Sequence, residues 1–208
     1  FCWMCRHICP VAGATGSEAW TPRARGLMIS MIERGTEFDK DIAEAMYHCT
    51  LCDACANDCV TGYKPSEYTR EARMRAVVED LAPAAVIKMI DTISECGNIF
   101  GLSAMGKLFE KAGKLHEKAE VLLFIGQTAE AMRADTGVHA ISILKKAGVD
   151  FTVLADEPAS GAYLGELMGY TGDVQAVAAH TAKMIADTGA KTLVVLNPAD
   201  AAMFKEQY

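Results

Sequence analysis

Long apolar runs are missing from this chain of 208 residues. Stretches such as Val121–Ile125 and Leu193–Leu196 fall far short of the roughly 20 residues that a bilayer-spanning helix needs. No export-signal pattern opens the sequence. Basic residues are outnumbered, 20 against 27 acidic ones, for a net charge of −7. That balance argues against nucleic acid as a partner, because phosphate binding needs a basic surface. Cysteine all but vanishes after position 59, with Cys96 the one exception among eight. A disulfide framework would suit a secreted chain. Crowded spacing at one end, with no export signal, fits metal ligation in a reducing cytosol better. The remaining composition, 51% hydrophobic and 23% charged, is ordinary for a globular protein with one or two cores. Opening at Phe1 with Cys2 next, and closing at Tyr208, the chain is expected to lack residues at one or both ends.

What is present early in the chain is a repeated cysteine pattern. Cys49-Thr-Leu-Cys52-Asp-Ala-Cys55-Ala-Asn-Asp-Cys59 has the spacing C-x2-C-x2-C-x3-C, the bacterial ferredoxin pattern. A cubane cluster presents iron at its corners. Three thiolates on a short turn can wrap three corners, and the fourth ligand comes from the other motif. Cys2-Trp-Met-Cys5-Arg-His-Ile-Cys9-Pro10 is the same pattern without its leading cysteine, which would fall three residues before Cys2. The cysteine after each x3 gap is expected to open a helix, with Pro10 following in the first copy and Val60 in the second. The pattern therefore predicts two [4Fe–4S] clusters with crossed ligands: Cys49, Cys52, Cys55 and Cys9 for one, and Cys2, Cys5, Cys59 and an upstream residue for the other. Structural zinc is the alternative, but zinc sites pair two C-x2-C units rather than crossing two triplets.

Other residues are weighed against that constellation. Cys96 stands alone and reads as a small buried hydrophobe rather than a ligand. His7 and His48 flank cluster cysteines and are placed as neighbours that tune potential, not as ligands. His116, His139 and His180 show no ligand spacing and read as surface residues. Trp3, Met4 and Ile8 suit an apolar shell around a cluster. Arg23 and Arg25 are either surface charges or supports of the loop between the motifs.

The later chain changes rhythm. Ala84–Ser94 is apolar-rich, Gly97–Gly101 interrupts, and Ala104–Lys118 resumes a helical pattern. Strands are expected at Val121–Ile125, Phe151–Leu154 and Thr192–Leu196, with helices near Ala129–Ala147 and Val174–Thr188 between them. Such alternation implies parallel pairing. The fold class is thus α + α/β. A helical, ferredoxin-like two-cluster domain over 1–80 leads through a helical linker over 81–118 to a βαβ domain with a parallel sheet over 119–208.

The stretch Cys5–Pro10, then Thr21-Pro22-Arg23-Ala24-Arg25-Gly26, the complete second motif and Arg70–Arg73 resemble a known group. It comprises the iron–sulfur subunits of glycolate oxidase, heterodisulfide reductase and anaerobic glycerol-3-phosphate dehydrogenase, together with those of lactate utilisation. Cys96-Gly97-Asn98-Ile99-Phe100-Gly101 is similar to the segment that follows the cluster domain there. In that group the α/β half is a cysteine-rich CCG domain. Here the matching places read Gly126-Gln127, Ala159-Ser160-Gly161 and Asn197-Pro198-Ala199-Asp200, with every cysteine gone. The resemblance implies a degenerate CCG-like module kept for docking and stability; Gln127, Ser160, Asn197 and Asp200 could otherwise line a polar pocket at the strand ends. It implies an electron-transfer subunit without a substrate site of its own, working with a partner such as an FAD-containing dehydrogenase. A catalytic subunit of the heterodisulfide-reductase type and a zinc-stabilised interaction module are the competing readings. The expected place is the cytoplasm, with the inner face of the membrane reached only through partners.

Overall fold

The computed structural model describes residues 2, 4–102, 107–113, 118–169 and 171–208. Trp3, His116 and much of the expected helix Ala104–Lys118 lie outside the described residues. In chain order the helices are α1 (Met4–Ile8), α2 (Pro10–Thr15), α3 (Pro22–Glu33), α4 (Lys40–Tyr47), α5 (Ala54–Asn57), α6 (Pro65–Val78), α7 (Ala84–Cys96) and α8 (Lys107–Ala112). Then come β1 (Val121–Phe124), α9 (Gln127–Met132), α10 (Ala134–Lys146), β2 (Phe151–Thr152), α11 (Ala162–Met168), α12 (Gly172–Asp187), β3 (Thr192–Val195) and α13 (Pro198–Glu206). The class is helical with a small parallel sheet, compatible with the α + α/β expectation.

The chain divides into two units, Phe1–Ile90 with Gly165–Thr171, and Asp91–Leu164 with Gly172–Tyr208. The expected linker is therefore shared between units, and a later segment returns to the first. Hydrogen bonds show why it returns: Tyr47 Oη donates to Leu167 O at 2.9 Å and Arg73 Nη1 to Glu166 O at 2.6 Å.

In the first unit, local chemistry sets each helix start. Thr21 caps α3, its hydroxyl accepting from Ala24 N at 3.1 Å, and Pro22 follows with its φ already suited to a first turn. Asp39 caps α4 in the same way, accepting from Ile42 N at 2.9 Å. Phe38, Ala43, Met46, Ala72 and Ala76 form the core between α4 and α6, with Met28, Ile29 and Ile32 of α3 packed against it. Gly26 is needed for this packing, because a Cβ there would stand 3.1 Å from Tyr68 Oη, which donates to Pro22 O at 2.9 Å.

In the second unit the sheet order is β2-β1-β3, all parallel. The central strand is buried on both faces, as parallel strands under helices are. Leu123 and Ile125 join Leu108, Ala112, Ala129, Ile141, Phe151 and Val153 in one core cluster. On the other side, Phe124 meets Phe204 edge-on, with ring centroids 4.9 Å apart. The expected helix Ala129–Ala147 is two helices, split at Arg133, whose backbone (φ −137°, ψ 52°) leaves the helical region.

Candidate metal centre

All seven N-terminal cysteines are free thiols and lie in the first unit. Cys9 is the N-cap of α2, with Pro10 at the first helical position, so the C-P pair does open a helix here. Cys59 differs. It sits in a turn in which Gly62 N donates to Cys59 O at 3.1 Å, and α6 starts only at Pro65. Val60 in place of proline has no preset φ to begin a helix, which accounts for the departure.

Two cavities meet these cysteines. Cys9, Cys49, Cys52 and Cys55 line the first, together with Pro22, Arg25 and Ser66. It is small and open, about 310 Å³ of atom-free space counted together with adjoining solvent. Cys2, Cys5, Cys55 and Cys59 line the second, wider one, with Met4, Arg23, Leu27 and Tyr68. The two cavities have Pro22 and Cys55 in common. Among the described residues, no three His, Cys, Asp or Glu side chains form a group suited to a single metal ion.

The loop around Cys52 takes an unusual path. Leu51 (φ 53°) and Asp53 (φ 58°) both occupy the left-handed region, which costs a non-glycine residue about 1–2 kcal/mol. Strain of this kind persists where surrounding structure demands it, and ligand clamps are frequent places. Leu51 N donates to Cys49 Sγ at 3.4 Å. Arg73 fixes the entrance to this loop, donating from Nη2 to Cys49 O at 2.5 Å and to Met46 O at 2.9 Å.

Surroundings shift three of the thiols, in two directions. Burial, then the neighbouring Cys49 and Cys52, push the Cys55 thiol up to about 11, with Arg25 acting in the opposite direction. Burial also raises Cys5. Cys59 is lowered, first by its hydrogen bond with the Thr61 hydroxyl at 3.2 Å. Ligand thiols must be deprotonated, so loading of cationic iron would release protons here.

The residues fit an iron–sulfur group on three counts. Soft thiolates supply the donors, which cluster iron prefers. Four of them line one cavity. Its wall also buries polar atoms without hydrogen-bond partners, Arg25 Nε and Asp53 Oδ1. Arg25 is thus no surface charge, and together with Arg73 it is the functional candidate that sequence reasoning weighed too lightly.

The remaining sequence candidates fall elsewhere. His7 is exposed; His48 is half-buried and stacks on Trp20 with ring centroids 3.9 Å apart. His139 and His180 are exposed, as expected. Met4 and Ile8 are each 46% exposed, and of the two Met4 lines the second cavity. Cys96 is exposed at the end of α7, not a buried hydrophobe, because the chain turns there around Asn98. The buried Asn98 amide bonds to Cys96 O and Leu102 O, and its carbonyl accepts from Phe100 N and Leu102 N.

At the carboxyl edge of the sheet, Gln127, Ser160 and Asp200 do line a small cavity, whereas Asn197 caps α13 and donates to Tyr163 Oη at 3.0 Å. Ser160 Oγ donates to Asp200 Oδ1 at 2.5 Å, and Gln127 Nε2 to Gly97 O at 2.6 Å. Glu157, which no motif signalled, accepts from Ile125 N at 2.7 Å and Gly126 N at 2.6 Å. Burial first, and then the carboxylate of Asp200, raise its pKa to about 8 against the two amide hydrogen bonds.

Comparison with known proteins agrees with the cysteine geometry. Residues 1–63 match the 4Fe-4S dicluster domain. The chain is 26% identical over 175 residues to a protein of Chromohalobacter salexigens described as a probable membrane-anchored ferredoxin. That alignment covers 80% of this chain and 26% of the relative, so the chain spans about a quarter of its length. No solved structure matches. With all seven clustered cysteines inside the matched stretch, the chain is an iron–sulfur protein with a ferredoxin-type 4Fe–4S region.

Proposed function

We propose that the chain is an electron-transfer subunit that holds two [4Fe–4S] clusters and relays electrons between a partner flavodehydrogenase and a second carrier. When bound, such clusters supply one-electron redox chemistry. Cys9, Cys49, Cys52 and Cys55 hold one of them. Cys2, Cys5 and Cys59 supply three ligands to the other. One observation carries the assignment. Cys9 shares a cavity with Cys49, forty residues away, while Cys5, four residues away, lines the other cavity. Local ligation would have grouped Cys9 with Cys2 and Cys5. Arg73 and the Thr21 cap keep the two motifs in register, and Cys55 with Pro22 stands where the cavities adjoin.

The α/β unit acts in this reading as a docking body without iron of its own. Gln127, Ala159, Ser160, Asn197 and Asp200 occupy the places where thiolates would be needed; amide, methyl and hydroxyl groups do not replace them, and the one carboxylate oxygen ligand Asp200 could offer cannot hold a cluster. No helix among the described residues is long and apolar enough to cross a membrane. We assign the chain to the cytoplasmic side, attached to the membrane through partners, which accords with the relative's description as membrane-anchored.

The test is low-temperature EPR with iron and sulfide analysis of anaerobically purified protein. About eight iron and eight sulfide per chain are expected for two cubanes when a cysteine is supplied three residues before Cys2. Cys9→Ala should remove the signal that also depends on Cys52, and Cys59→Ala the other. Zinc in place of iron, or loss of the sequence-local cluster in each variant, would overturn the proposal.

A further inference from the structure

Two guanidinium groups are buried in the cysteine unit, and the protein uses them differently. Arg73, 5% exposed, is surrounded by backbone carbonyls: Nε and Nη2 donate to Met46 O, Nη2 also to Cys49 O, and Nη1 to Glu166 O. Its charge also lies over the Tyr47 ring, 5.0 Å from the centroid. Its hydrogen-bonding capacity is consumed in clamping backbone. Arg25 is 1% exposed and donates Nη1 to Trp20 O at 2.7 Å, yet its Nε has no partner. No carboxylate pairs with it among the described residues. A buried cation with a spare donor is unfavourable unless something negative faces it. What faces it is the cavity lined by Cys9, Cys49, Cys52 and Cys55.

We infer that Arg25 is the fixed counter-charge of the cluster held in that cavity, and that it keeps that cluster's reduction potential above the potential of its neighbour. Four thiolates around a cubane leave the assembly net negative, and reduction adds one more negative charge. A positive charge held in a poorly hydrated wall favours the reduced form more than the oxidised one. Among the described residues the second cavity has no equivalent. Its arginines, half-buried Arg23 and exposed Arg34, stand where solvent and salt weaken their field. An electron on this chain therefore rests on the cluster beside Arg25, and the other cluster is the transient stop.

The inference rests on the two-cluster reading, and the experiment separates their failures. Iron content and EPR-monitored redox titrations are compared for the full-length protein and its Arg25→Gln, Arg25→Met and Arg25→Lys variants. Neutral Gln and Met should move the midpoint of one cluster to more negative potential, the same cluster that Cys9→Ala removes. Lys, which keeps the charge, should stay near the parent value, and the other midpoint should move much less. If Met prevents loading, the Gln and Lys pair decides. Unchanged midpoints in loaded Arg25→Gln, or equal shifts of both clusters, would overturn the inference while leaving the two-cluster reading intact. A parent protein without two clusters would overturn both, and iron analysis alone identifies that case.

Discussion

The wall of the cysteine cavity and the carboxyl edge of the sheet both bury polar atoms, and they differ in how far they pair them within the chain. Around the cysteines, capacity is left over: Arg25 Nε and Asp53 Oδ1 have no partner, and α1 and α2 bury no residue at all. At the sheet edge Asp200 Oδ2 is left over, but the neighbouring groups pair with one another. Glu157 takes the amides of Ile125 and Gly126, Ser160 bonds to Asp200, and the Thr128 and Asn197 side chains both reach Tyr163. A site that leaves polar groups unpaired depends on what it binds, whereas a site that pairs them internally has replaced a ligand with side chains. The first unit should therefore owe its order to its clusters, and the second to its own core.

The largest test of that contrast is removal of iron. Anaerobic chelation should abolish hydrogen-exchange protection in α1, α2 and α5, whose few buried groups cannot hold them, while β1 and α13 stay protected. Equal loosening of both units would break the comparison. Next in size is Leu123→Ala. Leu123 is fully buried in the sheet core, so truncation should cost about 2–5 kcal/mol in denaturant unfolding of that unit. Iron content and the visible spectrum should not change; their loss would show that the units do not divide the work.

A smaller effect concerns pH. Glu157 titrates near 8 in the folded chain against 4.5 for an ordinary glutamate. Between those values the folded state binds a proton that the unfolded state has lost, so stability falls as pH rises through this window. The decline between pH 5 and 8 should be about 1–3 kcal/mol, given the side chain's partial exposure. Glu157→Gln should flatten the slope. A variant that keeps the slope would place the titrating group elsewhere.

Much of the arrangement was legible in advance, for identifiable reasons. Thiolate spacing is set by cubane geometry, so the ligand candidates could be read from a string of letters. The three strands were visible because apolar runs such as Val121–Ile125 are buried on both faces. Helix breaks were less visible. Arg133 carries no breaker signal, and α11 has no apolar period long enough to announce it. Arg25 and Glu157 were illegible as functional groups, because a charged side chain in a sequence is normally solvated.

Local chemistry alone determined the cysteine motifs, the Thr21-Pro22 helix start and the absence of cysteine from residues 119–208. Each depends on residues within a few positions of one another. Tertiary structure decided the rest. It brought Cys9 to Cys49 rather than to Cys5, buried Arg25 beside four thiols, and returned Gly165–Thr171 to the first unit. Those outcomes depend on burial and on carbonyls contributed from distant segments, and a charge acquires its meaning only from what excludes water around it.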